Sequence, residues 1–391
     1  MPAAGTAGAK RSLLNSARFR GVVYQVVVVA LVVGLGWYLV HNTLTNLAAR
    51  GIATGLGFLG LEAGFDIGES PIAYSPADTY AKALAVGVLN TLQVAVLGIV
   101  IASVIGLVVG IARLSGNWLV ARLASVYVEV VRNVPLLLQL FVWYGVVTAL
   151  PGPRQALNPL PGVFLSNRGL KVPLPEAHPL YPWLLLALAV GLAAAWALRR
   201  WAVAHQMRTG RPFPSGLVGI ALALGLPGAV FAAAGAPLAW DVPTLRGFNF
   251  SGGGALSPEF AALLVGLSVY TAAFIAEIVR SGILAVPHGQ TEAALSLGLS
   301  RGKTLRLIIL PQALRVIVPP LTSQYLNLTK NSSLAVAIGY PDLVSVANTA
   351  INQTGQAVEG VAVVMGVFLV ISLALSLLMN WYNAKVALVT R

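Results

Sequence analysis

Residues 292–311 read EAALSLGLSRGKTLRLIILP, a polar and basic island in a chain that is otherwise mostly apolar. An apolar run over 263–278 precedes it, and the apolar pattern resumes near Ala313. An island between two such runs is most simply a loop between two membrane helices. Arg301, Lys303 and Arg306 put that loop on the cytoplasmic side, because lysine and arginine are retained there. Ala293, Ala294, Leu295, Leu297 and Leu299 form the apolar face of a predicted short helix. Gly298 suits a sharp helix end, since glycine takes positive φ at no steric cost. Pro311 suits the first turn of a new helix, where no N–H is needed. The expected order is therefore short helix, turn, second helix back into the bilayer. An apolar stripe left in the cytosol needs a cover, from this chain or from a partner.

The rest of the composition agrees with a membrane location. Of 391 residues, 57% are hydrophobic and 9% charged, and the mean hydropathy is +0.82. A soluble domain carries about 25% charged residues, so a water-facing globule is excluded. Cysteine is absent, which rules out disulfides and thiolate metal sites. His41, His178, His205 and His288 have no metal-ligand spacing. A net charge of +13 could suggest nucleic acid, but its lopsided placement along the chain points to membrane topology instead, so lipid is the expected surrounding and no nucleic-acid partner is expected.

Working outward from the loop gives a segmented chain. Residues 1–20 are a basic leader with Lys10, Arg11, Arg18 and Arg20. Residues 21–83 hold a first helix over 22–40 and an external connection. The helix is long enough to span ~30 Å at 1.5 Å per residue, and it lacks a clear cleavage site, so it is read as retained. Residues 84–150 hold helices over 84–112 and 136–150, with an amphipathic surface helix over 118–131 between them and a kink at Pro135. Residues 151–257 are an external loop, a helix pair over 181–198 and 214–234, and a second external loop. Residues 258–391 hold helices over 258–285, 313–338 and 361–382, with Pro319 and Pro320 breaking the second of these. Of the 25 lysines and arginines, only Arg50, Lys82, Arg154, Arg168, Lys171 and Arg246 fall on the external side, and Arg132 and Lys330 fall within helices. That bias places both termini in the cytoplasm.

Charges in or near the bilayer are costly and mark function by default. Glu277 and Arg280 are three apart and able to pair on one helix. Glu129 and Arg132 repeat that spacing. These pairs either neutralise themselves locally or bridge helices at an inner gate. Lys330 lies in a polar run, Thr329-Lys330-Asn331-Ser332-Ser333, with no acid beside it in sequence. The run either lines a pathway for a substrate bearing a carboxylate or hydrogen-bonds between packed helices. No GxxxxGK[ST] phosphate loop occurs, so the chain does not hydrolyse ATP by that route.

Glu292-Ala293-Ala294, three residues, Gly298, nine residues, then Ile308-x-Leu310-Pro311 resembles the EAA motif of ABC importer permeases at each fixed position. The stretch from Tyr270 through Glu277, Arg280, Gly282 and Pro287 to Gly289-Gln290 is similar to the segment that precedes that loop in polar amino-acid permeases. The run from Glu129 through Arg132 and Pro135 to Gln139 resembles their ERGTPLL region, departing at Asn133 and Val134. The polar run at Lys330 resembles their K-D/N-T/S-S-L string. The apolar runs predict an all-α polytopic bundle of about eight membrane helices, and the resemblance, which covers residues 84–151 and 258–382, implies that these form a type I ABC importer permease core. It implies that Glu292, Ala293, Ala294, Gly298, Ile308, Leu310 and Pro311 couple to an ATPase subunit dimer. It further implies a second permease subunit, a periplasmic binding protein delivering a polar L-amino acid (glutamate, glutamine, aspartate, asparagine or a broad range), the bacterial inner membrane, and no cofactor. An ion-coupled secondary transporter is the alternative. It would need embedded acids, and Glu129 and Glu277 each have an arginine nearby.

Overall fold

The computed structural model describes residues 17–49, 51, 54–176, 178–235 and 239–386. The basic leader up to residue 16, Arg50 and Arg391 lie outside the described residues.

In chain order, α1 (Ala17–Ala49) is followed by a 3-10 turn (Leu56–Gly60) and α2 (Tyr80–Ala112). Next come α3 (Trp118–Asn133), α4 (Leu136–Thr148), a 3-10 turn (Pro153–Gln155) and strands β1 (Leu157–Leu160), β2 (Val163–Ser166), β3 (Gly169–Val172) and β4 (Leu174–Pro175). Helices α5 (Tyr181–Thr209) and α6 (Ser215–Ala233) lead to β5 (Trp240–Asp241), β6 (Thr244–Arg246), β7 (Asn249–Ser251) and β8 (Gly254–Leu256). The chain ends with α7 (Pro258–Leu284), α8 (His288–Ser296), α9 (Arg301–Thr304), a π turn (Leu305–Ile309), α10 (Leu310–Asn331), a 3-10 turn (Ser332–Ile338), α11 (Leu343–Thr354) and α12 (Ala357–Val386). Among the described residues, seven helices are long and apolar enough to cross a membrane, and α3 with α4 make an eighth if that bent pair is one span.

The chain divides into two compact units, residues 100–277 and residues 1–99 with 278–391. In the first of these, Asn117 starts α3 by accepting the N–H groups of Leu119 and Val120 at 3.0 and 3.3 Å. The predicted kink is present: Pro135 opens α4, and the two helices meet at 108°. Tyr127 on α3 donates to the Val269 carbonyl of α7 at 2.6 Å. Close approach of α2 and α7 depends on small residues, because lipid tails give no hydrophobic drive for helices to associate. A Cβ on Gly106 would stand 2.6 Å from the Ile275 side chain and 3.0 Å from the Ala272 carbonyl.

The two segments read as irregular loops, 151–180 and 235–257, contain a small antiparallel sheet. Its order is β1-β2-β3-β8, with separate two-stranded pairs β4-β5 and β6-β7. Strand β3 pairs β8 through Leu170↔Leu256 and Val172↔Gly254. The segments on either side of the α5–α6 hairpin are thereby hydrogen-bonded to one another.

In the second unit, the connections between helices again carry structure. Phe58, Ala63 and Ile67 are buried against Tyr80, Ala83, Leu84 and Val86 of α2 and Leu343, Val346, Ala347 and Ala350 of α11. Burying each large side chain contributes about 1.5–3 kcal/mol. Buried polar groups pin this cap. Asn90 donates to the carbonyls of Glu69 and Pro341, both at 2.9 Å. Thr91 accepts the Leu343 N–H at 3.1 Å. Asp342 caps α11 by accepting the Ser345 N–H at 2.9 Å, while its Oδ2 is buried with no hydrogen-bond partner. Burial pushes the Asp342 carboxyl up to about 6. Pro319 and Pro320 do not break α10, as the sequence had suggested; the helix runs through both. Prolines are tolerated inside membrane helices where neighbours re-satisfy the freed carbonyls.

Candidate functional site

The polar loop folds as helix, turn, helix. Pro287 leads into α8, and His288 Nδ1 lies 3.0 Å from Glu292 Oε1 one turn on. Glu292 and Ala293 are exposed. The helix ends at Ser296 and is closed by Gly298, whose φ is 77°. Gly298 donates to the Leu295 carbonyl at 2.9 Å and Leu299 to the Ala294 carbonyl at 3.1 Å. This pair of reversed bonds closes a helix C-terminus around a left-handed glycine. No atom lies within 4 Å of a Cβ added at Gly298, so backbone conformation alone demands glycine there.

The expected apolar face is divided. Ala294 is buried and Leu299 half-buried, whereas Leu295 and Leu297 are 42% and 83% exposed. The divided face follows from the helix ending at Ser296: Leu297 and Leu299 lie beyond the helical period. Leu297 is presented outward from a polar loop with none of the described residues covering it.

The second helix begins ahead of Pro311. Arg301 starts α9, and the π turn carries the helical path into α10 without a gap. Proline at 311 has no N–H for the Leu307 carbonyl and would crowd it. The wider turn relieves this, with Leu310 donating to Leu305, five residues back. Gln312 Nε2 donates to the Ile308 carbonyl at 3.0 Å and reaches Gln290 Oε1 at 3.5 Å, tying the start of α8 to α10. Leu310 is exposed, and Ile308 and Pro311 are half-buried.

Of the two readings left open for the charged residues, bridging between elements is seen at Glu277. Glu277 Oε2 on α7 holds the Arg113 guanidinium just beyond α2, and Arg132 on α3 approaches the same oxygen at 4.0 Å. Arg113 is nearly buried and also donates from Nε to Ser125 Oγ at 3.4 Å. Arg132 stacks over Phe274 at 5.1 Å and reaches Glu277 rather than Glu129, which is exposed. Glu277 thus joins three elements within its unit. Arg113 was missed because nothing in sequence links it to a carboxylate 164 positions away. Arg280, one turn further along α7, is half-buried.

Lys330 occupies the last turn of α10 and is exposed, and its ammonium makes no hydrogen bond or ion pair among the described residues. Its neighbours are less available than the sequence suggested. Ser332 donates to the Thr329 carbonyl and Ser333 to the Lys330 carbonyl, both at 2.7 Å, and Ser332 is buried. Asn331 is half-buried. Of the polar run, Lys330 is the freest group to meet a solute.

Residues 98–388 match the family described as the binding-protein-dependent transport system inner membrane component. The chain is 50% identical over 391 residues to the general L-amino acid transport system permease protein AapQ of Rhizobium johnstonii, covering 100% of this chain and 98% of that one. It is 53% identical over 374 residues to the putative amino-acid ABC transporter permease protein YhdX of Escherichia coli, covering 95% of each. It is 41% identical over 417 aligned positions to the glutamate/glutamine/aspartate/asparagine transport system permease protein BztB of Rhodobacter capsulatus, covering 97% of this chain and 96% of that one.

Proposed function

Since the chain belongs to the family of binding-protein-dependent transport system inner membrane components, and so is a multi-pass permease subunit rather than an ATPase, we propose that it translocates polar L-amino acids in an ATP-driven importer. The full-length relatives named above, described as general L-amino acid and glutamate/glutamine/aspartate/asparagine permeases, support that substrate class. A binding protein delivers the amino acid on the external side. Both termini and the 292–311 loop face the cytoplasm. A second permease, identical or homologous, completes the pathway.

The observation that carries this reading is the glycine-closed helix α8 with Leu297 83% exposed beside it. A rigid, apolar-tipped knuckle in a polar loop fits a groove on a partner. In the proposed mechanism the partner is a dimer of ATPase subunits. Glu292, Ala293, Ala294 and Gly298 form the contact, and Ile308, Leu310 and Pro311 carry its displacement into α10. When the ATPases close on ATP, paired knuckles approach and the bundle alternates access. Glu277, with Arg113 and Arg132, ties α7 to α3 near the end of α7, with Arg280 three residues further along that helix and Glu129 three residues before Arg132 on α3. Lys330 and Asn331 line the pathway and favour carboxylates, while Ser332 and Ser333 hold the local helix geometry.

Uptake by proteoliposomes carrying the complete assembly tests this reading. Uptake of glutamate or glutamine that requires internal ATP and co-purification of an ATPase subunit are expected. ATP-independent uptake driven by a proton or sodium gradient contradicts it.

A further inference from the structure

Four of the six cations assigned to the external side, Arg154, Arg168, Lys171 and Arg246, lie in the small sheet and its connections. Positive charge is normally held back on the cytoplasmic side, so this concentration needs a reason. The carboxylates in the same segments do not balance it. They are two, Glu176 and Asp241, the latter accepting the Gly253 N–H at 2.7 Å, so four cations face two carboxylates.

One of these cations is stacked on an exposed aromatic. The β6–β7 turn carries Phe248 at its tip, 72% exposed. The Arg154 guanidinium lies 4.3 Å from the centre of that ring, and its Nε approaches the Gly247 carbonyl at 3.5 Å. Arg246 is exposed two residues before Phe248, and Arg168 is exposed at the β2–β3 turn. Arginine and large aromatics are the residues that dominate binding energy at protein interfaces. Here one is already stacked on the other and held on a hydrogen-bonded hairpin, so little side-chain freedom remains to be lost on binding.

We propose that this basic, Phe248-tipped module, spanning 153–176 and 240–256, is the docking surface for the secreted solute-binding protein, and that it grips an acidic face of that protein. The proposal rests on the importer reading above and adds the place and the sign of the contact. Strand β8 leads directly into α7, whose other end leads into α8, so one helix separates the docking surface from the knuckle in sequence. Electrostatic steering makes such docking fast and sensitive to salt.

The test uses the complete transporter in proteoliposomes with its binding protein, and reads the concentration of binding protein that half-saturates ATPase stimulation. For the double variant Arg154→Glu with Arg246→Glu, that concentration should rise at least tenfold. The salt dependence of the wild type should flatten, and ATPase activity without binding protein should stay unchanged. Phe248→Ala and Arg168→Glu, which leave the hairpin backbone bonds in place, should each raise it severalfold. An unchanged value in all three variants, with the wild type stimulated normally, overturns the docking proposal. A wild type that no binding protein stimulates overturns the importer reading itself. If charge reversal acts only in vesicles containing phosphatidylglycerol and leaves half-saturation unchanged, the patch meets lipid and the proposal also fails.

Discussion

Leu299 donates its backbone N–H to the Ala294 carbonyl at 3.1 Å across a glycine at φ 77°. The bond fixes the direction in which Leu297 leaves α8, and it requires a residue that accepts the left-handed region. A β-branched residue at 298 costs about 1–2 kcal/mol for conformation alone. Gly298→Val should therefore unravel the knuckle and separate ATP hydrolysis from uptake, whereas Gly298→Asn, which tolerates that region, should retain most coupling. The ratio of amino acid imported to ATP hydrolysed in proteoliposomes decides it. Equal ratios in the wild type and the valine variant would refute the role given to this turn.

Glu277 offers a second test. It is the carboxylate against which the nearly buried Arg113 is held. Breaking a buried pair by removing one partner costs ~3–5 kcal/mol. Glu277 and Arg132 are partly exposed, which puts the cost of Glu277→Gln at the low end of that range. A lower Tm of the detergent-purified assembly is expected, with partial recovery on adding Arg113→Gln. No change in Tm for the single variant would contradict the bridging role.

Asp342 predicts a pH dependence. Its carboxyl, pushed up to about 6 by burial, is more readily protonated in the folded chain than in the unfolded one, where it titrates near 3.8. The folded state therefore holds the proton between those values. Stability is greatest below about 4, is lost as pH rises to about 6, and is level above that. Asp342→Asn keeps a capping oxygen for Ser345 and removes the charge. It should raise Tm at pH 7.5 and flatten the profile between pH 4 and 6. A variant whose Tm falls at pH 7.5 would show that the ionised carboxylate stabilises this cap.

Lys330 sets the charge preference. Loss of one charge-assisted hydrogen bond costs about 1.5–3 kcal/mol, roughly tenfold or more in affinity. Lys330→Met should raise the KM for glutamate and aspartate uptake by about that factor and change glutamine and asparagine uptake far less. Equal effects on all four would move Lys330 from the pathway to packing.

The membrane helices were legible because their apolar runs are long, and the bend at Pro135 and the turn at Gly298 were legible because proline and glycine act through their own backbones. The external sheet was not. Its strands are two to four residues long, too short for alternation to register, and β3 pairs with β8 across an entire helix hairpin. Pro311 lies in the first turn of α10, as its backbone chemistry suggested, but the π turn that joins α9 to α10 ahead of it left no pattern in the sequence. Arg113 was hidden because its partner is remote in sequence. The divided apolar face of the loop, by contrast, follows from where α8 ends, which only the hydrogen bonds fix.

The chain has no cysteine, so Leu297→Cys supplies a single thiol at the tip of the knuckle. Cross-linking from that thiol in membranes of cells expressing the complete assembly, together with labelling by a membrane-impermeant maleimide, tests the coupling account most directly. The account predicts a product joining this chain to the ATPase subunit, and labelling from the cytoplasmic face only. Labelling of intact cells from outside, or a thiol that never joins a nucleotide-hydrolysing subunit at any cross-linker length, would contradict it.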